Sequence, residues 1–396
     1  MLSVLAVANY RSLRQLVLPL ARLTVVTGPN GSGKSSVYRA LRLLAETALG
    51  GVVGSIAREG GLGSVLWAGP ERFSAAVQRG EYPVEPTGRN GPIRLQLGFS
   101  GADAGDYSYA IDIGLPQPDG VPTVFVLDPQ IKAETVWNGA ALRPSSTLAS
   151  RRNALLQVRG DNGRMQAIER LLPPFASMLA EYSDPYAAPE LISLRDQVRS
   201  WRFYDHFRTD AQAPARAARL GTRTPVLDHD GADFAAALAT IREIGDFEAL
   251  DAAVDDAFPG ARVEARAVAD HFETLMQQPG LLRPLRAAEL SDGTLRYLLW
   301  VAALLTPRPP PLLVLNEPEA SLHPDLLPAL GRLIAQATRG SQVIVVTHSQ
   351  RLVAALESAE VYGGDQRSLL LDKRLGETQA VSLDEDDVPA WRWPAR

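Results

Sequence analysis

The residues whose types and spacing best suit chemistry lie at 28–36: Gly28-Pro29-Asn30-Gly31-Ser32-Gly33-Lys34-Ser35-Ser36. A glycine, four intervening residues, then Gly-Lys-Ser is the spacing of a phosphate-binding loop. Its glycines let backbone N–H groups from Asn30 to Ser36 curl around an anion, and a following helix N-terminus adds partial positive charge. Lys34 would reach the β- and γ-phosphates of a nucleotide, and the Ser35 hydroxyl would ligate Mg²⁺. The chain has only three lysines, Lys34, Lys132 and Lys373, and one occupies this slot.

A second group lies near the C-terminus. Ser291-Asp292-Gly293-Thr294 precedes the apolar run from Leu295 to Leu305. Ser291 is a good N-cap, and a Ser-Asp-Gly turn at a helix start is a second potential phosphate site; alone it is more often only a cap. Leu312-Leu313-Val314-Leu315-Asn316-Glu317 reads as a buried strand ending in an amide and an acid. Such a strand tip meets Mg²⁺ and the attacking water, with Glu317 as the base that orients it and Asn316 towards the metal. Gln342 to Ser349 is another apolar run with His348 near its end. If that strand lies parallel to the P-loop strand, His348 faces the γ-phosphate.

These residues need elements to hold them. The β-branched run Leu23–Thr27 predicts a buried strand before the loop, and Val37, Ala40, Leu41, Leu44 and Ala45 recur at helical spacing after it. Residues 2–8 and 16–18 predict a hairpin leading in, with Tyr10 and Arg11 at its turn. There an aromatic could stack on adenine and Arg11 could meet phosphate; an ordinary strand-end turn is the equal alternative. Gly50–Gly63 reads as a surface loop. Runs at Ile93–Phe99, Tyr107–Ile113, Val124–Leu127 and Thr135–Trp137, split by turns such as 116–120, predict an antiparallel meander. From about 151 to 290 the pattern is mainly helical, over Met165–Leu179 with a break at Pro173-Pro174, Pro189–Trp201, Asp233–Ile244 and Phe247–Phe258. A strand pair is expected at Val263–Val268 and His271–Met276.

The bulk numbers narrow the class. The chain has 396 residues, 46% of them hydrophobic, and a net charge of −5. There is no global basic field for nucleic acid. With no cysteine there is no thiolate chemistry. No apolar run approaches the roughly 20 residues of a membrane span, and residues 1–20 lack signal-peptide features. A soluble cytoplasmic protein is expected, without a membrane partner.

The four motifs in their order, Gly-Pro-Asn-Gly-Ser-Gly-Lys-Ser, Leu-Ser-Asp-Gly-Thr, Leu-Asn-Glu-Pro-Glu-Ala-Ser-Leu-His-Pro and Val-Thr-His-Ser, resemble the ABC-type ATPase heads of the RecF, SMC and OLD-like group. Asn9-Tyr10-Arg11-Ser12-Leu13 is similar to that group's N-terminal strand. The resemblance covers 1–50 and 285–350 and is weak between them. It implies an α/β P-loop NTPase of ABC-head type, with an antiparallel β subdomain and an inserted mainly helical lobe. Residues 1–150 and 306–396 would form the nucleotide lobe, and 151–305 the helical lobe ending in a signature helix. It implies ATP and Mg²⁺ as cofactors. It also implies a homodimer sandwiching ATP, in which Ser291, Asp292 and Gly293 cap the γ-phosphate of the other subunit. Ser321-Leu322-His323 would contact the partner, and His348 would be the switch histidine.

Two departures stand out. The signature reads Ser-Asp-Gly-Thr, and Asn316 stands where the group usually has aspartate. The group's glutamine loop has no clear counterpart in the sequence. Three roles follow: an ATPase coupled to DNA transactions in repair or phage defence, an ATP-gated switch acting on an effector protein, and, disfavoured by the signature, a transporter subunit. An arginine-rich segment, 195–223, interleaves Arg195, Arg199, Arg202, Arg208, Arg216, Arg219 and Arg223 with Trp201, Phe203, Tyr204 and Phe207. That mixture suits nucleic acid, against a bland reading as core strand and local ion pairs. The acidic run at 384–387 reads as a solvated tail.

Overall fold

A computed structural model describes residues 1–79, 81–82, 92–116 and 124–396. The chain divides into two compact units. The first holds Met1–Ala21, Thr27–Ser200 and Ser368–Arg396; the second holds Arg22–Val26 and Trp201–Arg367.

The first unit is built on an eight-stranded antiparallel sheet. Its strands, in spatial order, are Leu13–Pro19, Leu2–Tyr10, Leu95–Gly101, Tyr107–Gly114, Gln130–Asn138, Thr147–Arg152, Leu155–Arg159 and Met165–Ala167. The N-terminal hairpin and the meander stand as the alternating pattern predicts. Every residue of Leu95–Gly101 is buried, so this strand is covered on both faces. The P-loop helix, Lys34–Leu49, buries Val37, Leu41 and Leu44 on one stripe and packs on the sheet and on the helix Pro189–Arg199.

Four expectations for this unit are corrected. Gly50–Gly63 is not a loop: it contains a helix at Val52–Arg58, which buries Val52 and Ile56, and a turn of helix at Leu62–Val65. Gly50 (φ 77°) closes the P-loop helix in the left-handed conformation glycine accepts, whereas Gly54 lies inside the second helix. Val124–Leu127 is a turn with all four side chains exposed, closed by a bond from Asp128 N–H to Phe125 O. Met165–Leu179 is not helical: it begins as a strand, and only Met178–Glu181 makes a helical turn, because Pro173-Pro174 removes two donors. The stretch after 151 therefore begins by extending the sheet. The units part at Ser200/Trp201, not at 150/151. Of the expected turn at 116–120, residues 117–120 lie outside the described residues.

The second unit contains four parallel strands in the order Arg202–Tyr204, Leu312–Asn316, Gln342–Val346 and Leu23–Val26. Leu312–Leu315 and the whole of Gln342–Val346 are buried, as near-continuous apolar runs in a covered parallel sheet should be. The helix Asp292–Leu304 buries every residue from Leu295 to Leu304. Its Trp300 stacks edge-on against Phe207, with ring centroids 4.9 Å apart, and against Tyr204 at 6.2 Å. The helices Phe234–Ile244 and Phe247–Ala257 and the strand pair Arg262–Val268 and His271–Gln277 fall close to their expected positions. Among the described residues no helix is long and apolar enough to cross a membrane.

Candidate functional site

In the first unit the P-loop has the backbone its glycines require. Gly28, Gly31 and Gly33 have φ of 146°, 81° and 108°. A Cβ at Gly28 would lie 2.2 Å from Leu371 O, and one at Gly33 would lie 2.1 Å from Thr378 Oγ1. Both positions thus need glycine for space as well as for φ. Thr378 Oγ1 also donates to Ser32 O at 2.7 Å, pinning the loop from behind. Lys34 Nζ bends back to donate to Gly28 O (2.6 Å) and Pro29 O (2.9 Å), which places the ammonium within the curve of the loop. Asn30, Gly31 and Ser35 are exposed, and Ser36 is half-buried. Ser32 Oγ is buried without a hydrogen-bond partner among the described residues. A fixed loop with an ammonium inside its curve and the helix N-terminus beginning at Lys34 fits an anionic phosphate group.

Arg11 is committed elsewhere in the same unit. Its Nη2 lies 2.6 Å from Glu59 Oε2, and the Tyr10 hydroxyl donates to the same carboxylate at 3.0 Å. The Tyr10 ring is fully buried, and burial pushes its pKa up to about 12. The structure gives this pair the strand-end role and removes Tyr10 as an exposed stacking surface.

In the second unit the register sets the chemistry. Tyr204 pairs with Leu315, Asn316 with Val346, and Val346 with Val26. The C-terminal tips of the parallel strands are therefore level, at the sheet edge where ligands bind in such folds. At this edge stand Asp205, Asn316, Glu317 and His348. Glu317 has a left-handed backbone (φ 49°), and its N–H donates to Val346 O at 2.7 Å. His348 Nδ1 lies 3.7 Å from Glu317 Oε1 and 3.4 Å from Glu319 Oε1. Glu319 is buried and accepts from Thr347 Oγ1 (2.5 Å) and His348 N–H (3.2 Å), so it fixes the histidine's turn. Asn316 Nδ2 donates to Asp205 Oδ1 at 2.5 Å, while its Oδ1 is buried without a partner among the described residues.

The signature turn lies in the same unit. Ser291 Oγ caps the helix by accepting from Thr294 N–H at 3.2 Å. Asp292 accepts from Arg216 Nη2 at 2.6 Å. A Cβ at Gly293 would lie 3.4 Å from Ser321 O, so the turn runs close beside the loop after Glu317. Arg296, one turn further on, is buried. It donates to Ala320 O (2.7 Å), Phe207 O (2.9 Å) and Thr209 Oγ1 (3.2 Å). Burial lowers its pKa, with the Asp292 carboxylate opposing.

Sequence reasoning missed Asp205, Glu319, Arg216 and Arg296 as site-building residues. The signal for Asp205 was present: Trp201-Arg202-Phe203-Tyr204 is an apolar run that ends in an acid, like the strand ending at Glu317. Its three-residue strand is too short to show a period. The nucleic-acid reading of 195–223 loses three of its four stacking aromatics to the core. Trp201, Tyr204 and Phe207 are buried in the core, and Arg216 is enclosed by carbonyls of Thr209, Ala287 and Leu290. Arg208 pairs with Asp210, and Arg223 with Glu243.

Mg²⁺ is the metal this fold implies. Among the described residues no three His, Cys, Asp or Glu side chains converge as a ready-made cage. Mg²⁺ does not require one, because it keeps several waters and takes one or two protein oxygens plus phosphate. The unpartnered Asn316 Oδ1 and the Asp205 carboxylate are hard oxygen donors of the right kind.

A P-loop, a parallel sheet tipped by an acid and a histidine, and a capped signature helix together define a P-loop NTPase of ABC-head type. The chain belongs to the family described as "AAA domain, putative AbiEii toxin, Type IV TA system", whose model matches residues 23–354. Its fold is similar to that of an SMC head solved bound to the C-winged helix domain of ScpA, with 15% identity, a TM-score of 0.50 and coverage of 97% of this chain and 98% of that one. It is also similar to an Smc head from Pyrococcus furiosus solved with the C-terminal domain of ScpA, with 14% identity, a TM-score of 0.48 and coverage of 96% and 95%. No curated protein matches by sequence. The likeness to ABC-type heads of the RecF and SMC group expected from the motifs is thus borne out as fold.

Proposed function

We propose that this protein binds ATP through its P-loop and hydrolyses it, with ATP-dependent pairing of two copies coupled to a DNA transaction such as repair or phage defence. The observation that carries the catalytic part is the strand-tip arrangement of Glu317, held by Val346 O and 3.7 Å from His348 Nδ1. In this reading Glu317 accepts the proton of the attacking water as it forms its bond to the γ-phosphorus. His348, positioned by Glu319, donates to the oxygen on which charge builds. Lys34 and the N–H groups of the loop hold the phosphates. Mg²⁺, when bound, would supply charge neutralisation to the phosphates; the Ser35 hydroxyl is the first unit's candidate oxygen donor, and the Asp205–Asn316 tip is the second unit's. Ser291, Asp292 and Gly293 would face the nucleotide of a second copy.

The family description, which names a putative toxin of a type IV toxin–antitoxin system, supports a defence role. The test is the ATPase rate measured alone and with single-stranded, duplex and end-bearing DNA. Strong stimulation by one form supports the DNA reading. A rate unmoved by all three favours the second reading, an ATP-gated switch on an effector protein.

A further inference from the structure

We propose that Asp205 supplies the metal-facing carboxylate of this site, in place of the residue at 316, and that Asn316 serves to hold it. The inference rests on the ATP–Mg²⁺ reading above and deepens it.

The parallel register puts the two residues side by side. Tyr204 pairs with Leu315, so the next step along both strands brings Asp205 beside Asn316. Their side chains meet at 2.5 Å. A carboxylate only accepts, so the amide must present its NH₂ to Asp205. That leaves Asn316 Oδ1 turned away, buried and unpartnered among the described residues, as an acceptor suited to a metal-bound water. Asp205 is exposed, and no lysine, arginine or histidine among the described residues pairs with it. An amide cannot compensate the charge of a divalent cation, whereas a carboxylate beside it can. The negative charge absent from the strand Leu312–Asn316 is thus present on the neighbouring strand, one hydrogen bond away. The loop that begins at Asp205 is also tied to the signature helix, through Arg296 donating to Phe207 O and Thr209 Oγ1. A cation drawn to Asp205 would bias that loop as well as the strand tip.

The test uses the full chain, Mn²⁺ as probe and AMP-PNP as a nucleotide that is not turned over. Free Mn²⁺ is read by its EPR signal, and AMP-PNP affinity is measured separately in EDTA. Thermal melting of each variant monitors folding. Asp205→Asn is expected to weaken Mn²⁺ binding by about tenfold or more, a loss typical of residues that support a metal site. AMP-PNP affinity in EDTA should stay unchanged. In Asp205→Asn/Asn316→Asp the carboxylate moves across the hydrogen bond, and Mn²⁺ affinity should return to near the wild-type value. This swap keeps composition and hydrogen-bonding capacity, so it separates lost charge from lost packing. Wild-type Mn²⁺ affinity in Asp205→Asn overturns the proposal, as does a folded double variant that binds AMP-PNP but does not recover Mn²⁺. If the wild-type chain itself fails to bind AMP-PNP, the nucleotide reading falls and this proposal falls with it.

Discussion

At the scale of single residues, Lys34 is the plainest case. Its ammonium is held by Gly28 O and Pro29 O within the loop's curve. A charge-assisted hydrogen bond from that ammonium to a bound phosphate would contribute about 1.5–3 kcal/mol. Lys34→Ala is therefore expected to weaken ATP binding more than about tenfold, measured with a fluorescent nucleotide. Unchanged affinity would sink the P-loop assignment. Lys34, Glu317 and His348 were legible because each is set by a local pattern: a glycine spacing or a strand tip. Arg11 was not, because its partner Glu59 lies in a helix-capped stretch that reads as a loop. Tertiary ion pairs leave no trace in local spacing.

At the scale of elements, two buried arginines carry different burdens. Arg151 and Glu134 are both fully buried and pair at 2.9 Å. Arg151 also donates to carbonyls of Asn153 (2.6 Å), Pro173 (2.7 Å) and Ala176 (2.5 Å), joining its strand to the segment that holds Pro173 and Ala176. Removing one member of a buried pair strands the other's charge, at about 3–5 kcal/mol. Arg151→Met should lower stability by that amount in a denaturant titration; a loss under about 1 kcal/mol would show that Glu134 is satisfied without it. Arg296 joins the signature helix to the loop after Tyr204 and to Ala320. It acts through other residues, so Arg296→Ala should lower kcat well below wild type while leaving nucleotide affinity in EDTA intact. Equal loss of both would make it only a packing residue. Parallel strands and long helices were legible from apolar runs and caps. The strands at Thr147–Arg152, Leu155–Arg159 and Met165–Ala167 were not: the first carries mixed burial, the second alternates over only five residues with Leu155 exposed, and the third is three residues long.

At the scale of the whole molecule, the proposed action needs two copies. Glu317→Gln removes the proposed base while keeping the shape of the side chain, so it should bind ATP, hydrolyse it poorly and accumulate as a dimer. Light scattering at saturating ATP reads this directly, and a variant that stays monomeric contradicts the ATP sandwich. The layout at this scale was legible in kind but not in its divisions. Motifs announce a P-loop fold without saying where an antiparallel sheet stops. Here that sheet runs on to Ala167, and the boundary expected at 150/151 falls instead after Ser200.

The left-handed backbone at Glu317 has a consequence for thermal stability. A non-glycine residue in that region is disfavoured by roughly 1–2 kcal/mol, and asparagine tolerates it better than glutamate. The residue the backbone would choose at 317 is thus not the one the proposed chemistry requires, so on that reading folding stability and turnover pull this position in opposite directions. Glu317→Asn should abolish hydrolysis and raise Tm by about 1–3 °C. Glu317→Gln removes the same charge without suiting the backbone and should leave Tm where it is. Identical melting of the two variants would show that the protein gives up no stability to keep its base.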